Sequence, residues 1–364
     1  MRRIPELDAI RGVAAVVILL FHLLWQDSFL PGTAVDCFFV LSGFLITTII
    51  LRHQAAPGFL VKFYARRGLR IWPIYFLYLL VVVVYRVWSG TPMATGTLLS
   101  YLTYTQNVEY HWKSGSPHDD PLMMHTWTLA LEEQFYILWP LLARWAGARR
   151  IVPLSVAVIA ASVSARCGGM VVKGPLLSRC DGFALGGLLA ALLLDPDRVR
   201  RCLGRYSVGF GAVMLTALSY PLWGRALVRV GVIPRSSSMI LGLNLFFVTF
   251  LYFGVVGFVA CHAGRRFLAP LRDRRLVYAG QISYGLYLYH PLAYGLIESL
   301  GLAWPSWVLD SLKLASAFAI AALSWRWIES PILSLKDRFT YRADGAEPRA
   351  VASGGLTVAA ETTG

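Results

Sequence analysis

The chain has 364 residues, 57% of them hydrophobic, with repeated apolar runs long enough to cross a bilayer, which excludes a soluble globule and predicts an all-α polytopic membrane protein. A net charge of +14 in a soluble chain would suggest nucleic acid as partner, but here the basic residues fall between the apolar runs, so topology accounts for them and no nucleic acid is implied. The five cysteines (Cys37, Cys167, Cys180, Cys202 and Cys261) are scattered without paired ligand spacing, which implies neither a disulfide framework nor a metal site.

In chain order, hydropathy predicts ten transmembrane helices, near 7–26, 35–51, 71–88, 126–143, 151–166, 178–194, 206–223, 239–260, 276–297 and 305–328. Only Met1, Arg2 and Arg3 precede the first run, which contains Arg11 and has no small-residue cleavage pattern, so it reads as a retained helix. With the N-terminus inside, Arg52 to Arg70, Arg144 to Arg150, Arg198 to Arg205 and Arg265 to Arg275 are all cytoplasmic. The opposite loops hold far fewer basic residues, chiefly Lys113, Arg166, Lys173, Arg225, Arg229 and Arg235, so both termini are expected in the cytoplasm. Residues 94–107 are too short to span and are expected to be interfacial or re-entrant, at an outer vestibule. The expected organisation is a membrane domain over 1–335 and a cytoplasmic tail over 336–364, disordered from about 340 because its composition cannot bury enough surface. No internal repeat, glycine-rich phosphate loop or appended soluble domain is expected within these residues.

The polar residues within the spans carry the functional signal. Arg11 and His22 lie in LDAIRGVAAVVILLFHLLW, separated by ten uncharged residues. Eleven steps of about 100° return to nearly the same helix face, about 16 Å along the axis. Ionisable groups in hydrocarbon usually face a bundle interior or a wet cavity, although a snorkelling Arg11 and a satisfied core His22 would give the same pattern. In KFYARRGLRIWP, beside Arg66, Arg67 and Arg70 are three apart and share a face if that entry is helical, forming a clamp suited to phosphate; ordinary positive-inside charge is the plainer explanation.

Toward the outer half the polar groups are His22, Asp36, Glu132 and Glu133 in HTWTLALEEQFYILWP, Asp181 and His290. Packing does not require two adjacent carboxylates in a span, so one of Glu132 and Glu133 is expected to face a cavity. An imidazole near a carboxylate can be held in the tautomer that accepts a proton from a hydroxyl, an arrangement for general base catalysis; a buried charge pair that stabilises or gates a transporter is the alternative. His290 is expected to cap its helix and His125 to be solvated at a helix mouth, while His53, His111, His118 and His262 lie in predicted loops. Ser42 with Gly43, and Gly186 with Gly187, are expected to permit close helix approach.

Together these segments resemble the acyltransferase-3 family of membrane O-acyltransferases, which modify polysaccharides, peptidoglycan, nodulation factors and antibiotics. LDAIRGVAAVVILLFH is similar to the family's basic-residue, ten-residue gap, histidine signature; VDCFFVLSGFLI, RRGLRIWPIY, HTWTLALEEQFYILWPLL, SRCDGFALGGLLA, ISYGLYLYHP and WIESPI follow in the family's order. The resemblance implies a bacterial inner-membrane enzyme with no permanently bound cofactor. Its donor would be acetyl-CoA or another acyl-CoA, and its acceptor a carbohydrate hydroxyl. It also implies that Arg11, Arg67 and Arg70 hold coenzyme A, and that His22 deprotonates the acceptor or carries the acyl group, supported by Asp36 or Glu133. Tailoring of a diffusible product such as a macrolide is the alternative within the class, and a glycan transporter or flippase the alternative outside it.

Overall fold

A computed structural model describes residues 3–24, 32–108, 120–170, 174–234 and 236–341. His111, His118, Lys113, Lys173, Arg235 and the tail beyond 341 lie outside the described residues. The described chain is helical: α1 (Pro5–Leu24), α2 (Ala34–His53), α3 (Phe59–Trp88), α4 (Thr95–Leu102), α5 (Trp127–Ala146), α6 (Ile151–Cys167) and α7 (Cys180–Leu192). There follow α8 (Pro196–Arg201), α9 (Leu203–Arg229), α10 (Ser237–Cys261), α11 (Arg274–Gln281), α12 (Ser283–Ser299), α13 (Ser306–Ser324), a π-helical turn over Trp325–Glu329, and α14 (Ser330–Ser334). Among the described residues, six helical stretches are long and apolar enough to cross a membrane: those built on α1, α2, α3, α6, α10 and α13. The other four expected spans are also helical, as α5, α7, α9 and the pair α11 and α12, but are shorter or more polar.

The differences from expectation have local causes. Gly58 takes a left-handed φ of 64°, which turns the chain directly into α3, so helix begins twelve residues earlier than residue 71. Thirty residues make α3 roughly 45 Å long, more than the ~30 Å of hydrocarbon. Its first turns, with Arg66, Arg67 and Arg70, therefore extend past an apolar slab if the rest crosses one. The expected 276–297 span is broken at Ile282, and α11 lies across α1, where Gly12 meets the backbone of Leu276 and Gly280. Residues 94–107 contain the eight-residue α4, too short to span, and the start of a further helical turn at Gln106. Residues 336–341, placed in the tail by composition, pack on the bundle: Arg66 donates to the carbonyls of Lys336 and Phe339, and Tyr341 stacks on His53.

Small residues set the helix spacing. Gly43 sits directly on the Phe183 backbone and Gly186 on that of Val40 and Phe44, so α2 and α7 touch without intervening side chains, as expected for membrane helices. Three apolar clusters organise the rest: α3, α5 and α7 around Phe135, Trp139 and Phe183; α1, α2, α7 and α10 around Val40, Phe44 and Val256; and α1, α12 and α13 around Leu19, Leu286 and Ala321. α1 belongs to two of these clusters, which places its polar stripe between α2 and α12. The outer surface stays apolar, with Leu80, Val84, Leu215, Leu218 and Leu222 exposed, as a hydrocarbon solvent requires.

Candidate active site

A partly open cavity of about 760 Å3, counting the space that opens to its surroundings, lies between α1, α2, α3, α5 and α12. Arg11, Arg67 and Arg70 line it with Ser42, Glu132, Tyr136, Thr128 and Tyr287. The same three arginines also line a second, wider opening beside the start of α1, with Arg3, Asp8, Arg66, Lys336 and Tyr341. They therefore stand at the boundary between a basic vestibule and the interior. The helical entry to α3 is what puts Arg67 and Arg70 on one face. Arg11 is anchored by Asp8, 3.2 Å away, and Arg67 lies over the Tyr136 and Phe63 rings. Arg66 differs from its neighbours, because its guanidinium is committed to the 336–341 segment and the Tyr341 ring.

Of the two adjacent carboxylates, Glu132 faces the cavity. It accepts hydrogen bonds from Ser42 at 3.1 Å and from Tyr136 at 2.9 Å, and it lies opposite the arginines. A step of about 100° along α5 turns Glu133 away, to accept from Trp72 Nε1 at 2.8 Å. Ser42, expected only to allow close helix approach, thus also forms part of the cavity wall.

His22 lies one turn beyond the cavity-lining Ile18 on the same face of α1, so the stripe read from the sequence points inward along its length. Its ring stacks on His290, with centroids 4.9 Å apart. The two carboxylates that the resemblance implied as supports of His22 have other partners. Asp36 Oδ1 accepts from Arg179 at 2.6 Å and from Thr249 at 3.3 Å, while its other oxygen meets no hydrogen-bond partner among the described residues, and Glu133 accepts from Trp72. Asp36 belongs instead to a buried charge network in which Arg166 grips Asp181 with two 2.7 Å bonds. Two further expectations fall as well: His290 is 1% exposed and does not cap an open helix end, and His125 is 8% exposed and is not solvated. Both histidines occur in the blocks quoted above, but nothing in their local spacing marks them as partners of His22. Among the described residues no cluster of His, Cys, Asp or Glu has metal-ligand geometry.

Long apolar helices packed around an arginine-lined cavity define an all-α integral-membrane protein. The chain matches the acyltransferase-3 profile, described as an acyltransferase domain, over residues 4–326, and it belongs to that family. It is 28% identical over 380 residues to peptidoglycan O-acetyltransferase OatA of Listeria monocytogenes, covering 90% of this chain and 56% of that protein. To O-acetyltransferase OatA of Staphylococcus aureus it is 25% identical, covering 91% of this chain and 57% of the relative. The chain thus spans a little over half the length of the curated relatives it matches. No solved structure matches it.

Proposed function

We propose that the protein is a bacterial inner-membrane O-acetyltransferase that moves an acetyl group from acetyl-CoA to a hydroxyl of a surface glycan. The observation that carries this reading is the cavity lining: Arg11, Arg67 and Arg70 stand at its basic mouth, and Ile18, one turn of α1 before His22, lies on its wall. Ten membrane-crossing segments with both termini inside would put that mouth in the cytoplasm, beside the other arginine-rich loops. The arginines bind the donor's phosphates, since guanidinium forks match phosphate oxygens and lose little hydration there. The thin pantetheine arm then reaches up the cavity past Ile18, so that the thioester meets His22 about 16 Å from Arg11 along α1.

The chemistry is a balanced exchange. His22 takes the proton of the acceptor hydroxyl, the oxygen attacks the thioester carbonyl, the C–S bond breaks, and the departing thiolate takes the proton back. Glu132, bonded to Ser42 and Tyr136, lines the same cavity as the arginines and contributes to the wall against which the donor lies. The peptidoglycan named for the Listeria relative makes a wall polymer the first acceptor to try.

The test is to incubate detergent-purified protein with radiolabelled acetyl-CoA and pooled cell-surface glycans. Label should move to the glycan with wild-type protein and not with folded His22→Ala. Full transfer by His22→Ala removes the assignment of His22. Flux of unmodified glycan through reconstituted vesicles without acyl-CoA makes the protein a transporter.

A further inference from the structure

Three imidazoles meet behind the Tyr287 side of the cavity wall, brought together from α1, from the Met124–Thr126 turn and from α12. His22 and His290 stack with planes 29° apart, and His125 approaches His290 at 5.1 Å with planes at 72°. The other rings in contact with this group are those of Phe21, Tyr78, Tyr287 and Tyr294. Tyr287 and its hydrogen-bond partner Thr128 line the cavity itself, so the cluster lies directly behind the cavity wall.

The two histidines other than His22 have distinct hydrogen-bonding states. His290 Nδ1 is 2.7 Å from the Tyr287 carbonyl oxygen, which can only accept, so Nδ1 carries the hydrogen and the ring is fixed in one tautomer and orientation. Neither ring nitrogen of His125 makes a well-formed hydrogen bond among the described residues, with the Leu288 backbone as a polar neighbour, although the residue is more than nine-tenths buried. A buried polar group left in this way marks a place where a ligand's polar group belongs.

We propose that His290 is a positioning residue for His22, and that His125 holds the acceptor through a hydroxyl, so that the three imidazoles form the acceptor end of the site. The ligand class is polyhydroxylated, because an imidazole flanked by aromatic rings both hydrogen-bonds a hydroxyl and packs against a sugar's apolar face. This inference rests on the acyl-transfer reading. A proton relay is not needed, because the proton removed by His22 returns to the departing thiolate. The stack argues the same way: nitrogen lone pairs lie in the ring plane, so two nearly parallel rings do not aim them at each other.

The test compares initial rates with acetyl-CoA and pooled cell-surface glycans for His290→Leu, His290→Phe, His125→Leu and His125→Gln, with melting temperature and labelled acetyl-CoA binding as controls. His290→Leu should lower kcat at least tenfold with the donor KM unchanged, and His290→Phe, which keeps the stack, should recover most of it. His125→Leu should raise the glycan KM at least fivefold with kcat at saturation maintained, and His125→Gln, which keeps a donor and an acceptor, should restore it. Wild-type kinetics in stably folded Leu variants overturn the inference. So does equal loss in the Leu and conservative variants together with lowered melting temperatures, which is a purely structural result. A wild-type protein that binds no acetyl-CoA and acylates nothing overturns the acyl-transfer reading, and the inference falls with it.

Discussion

Replacing Arg166 by methionine should be among the most destabilising single changes in the bundle, and replacing Asp181 by leucine at the same time should reverse most of the loss. Arg166 ends α6 with its side chain 1% accessible; Asp181 opens α7 with its side chain 2% accessible. Two 2.7 Å bonds join guanidinium to carboxylate, a third of 2.7 Å runs to the Ser178 carbonyl, and Ser162 donates to Asp181. Removing only the arginine leaves a carboxylate in an apolar interior, at a cost of about 3–5 kcal/mol, whereas replacing the whole pair by apolar residues of similar volume is commonly neutral or stabilising. At the ~2 °C per kcal/mol of a large domain, Arg166→Met should lower the detergent melting temperature by roughly 6–10 °C. The double variant Arg166→Met/Asp181→Leu should melt within about 3 °C of wild type by the same scaling. A fluorescence thermal-shift series over the two single variants, the double variant and wild type measures this directly. If Arg166→Met melts like wild type, or if the two single losses add in the double variant, the pair is not a mutually dependent buried unit and the argument fails.

Arg67→Ala and Arg70→Ala should each weaken acetyl-CoA, since a charged hydrogen bond contributes about 1.5–3 kcal/mol, or roughly 10- to 150-fold in affinity. Acetyl-pantetheine, which lacks the nucleotide phosphates, should be unaffected, and competition binding with the two donors separates these cases. Glu132→Gln should change kcat or donor KM because Glu132 lines the cavity, whereas Glu133→Gln, bonded to Trp72, should leave both near wild type; equal kinetic effects would contradict the facing assigned to them. Ser42→Ala should lower the melting temperature modestly, since its hydroxyl sits between Glu132 and Tyr136 and such a bond contributes about 1 kcal/mol. Gly43→Ala should prevent α2 and α7 from closing, because the added methyl would lie on the Phe183 carbonyl, and size-exclusion chromatography should show little folded protein.

Apolar run length determines the helical membrane class, and the 3.6-residue period determines that Arg11 and His22 share a face, as do Arg67 and Arg70. These are properties of single helices, and in the structure Arg11, Arg67 and Arg70 line one cavity. What one helix cannot specify is its neighbour. The choice between Glu132 and Glu133 depends on how α5 is rotated against α2 and α3, and adjacent residues give no signal of that rotation. Asp36 looked available to His22 by depth alone, yet Arg179, 143 positions away, holds it. His125 and His290 read as end groups of separate segments, and only the packing of α12 against α1 and the turn before α5 stacks His290 on His22 and brings His125 edge-on to His290. Local sequence sets the face that each helix presents, because that follows from backbone geometry. Which faces meet is decided by glycine contacts and long-range charge pairs, formed between elements far apart in the chain.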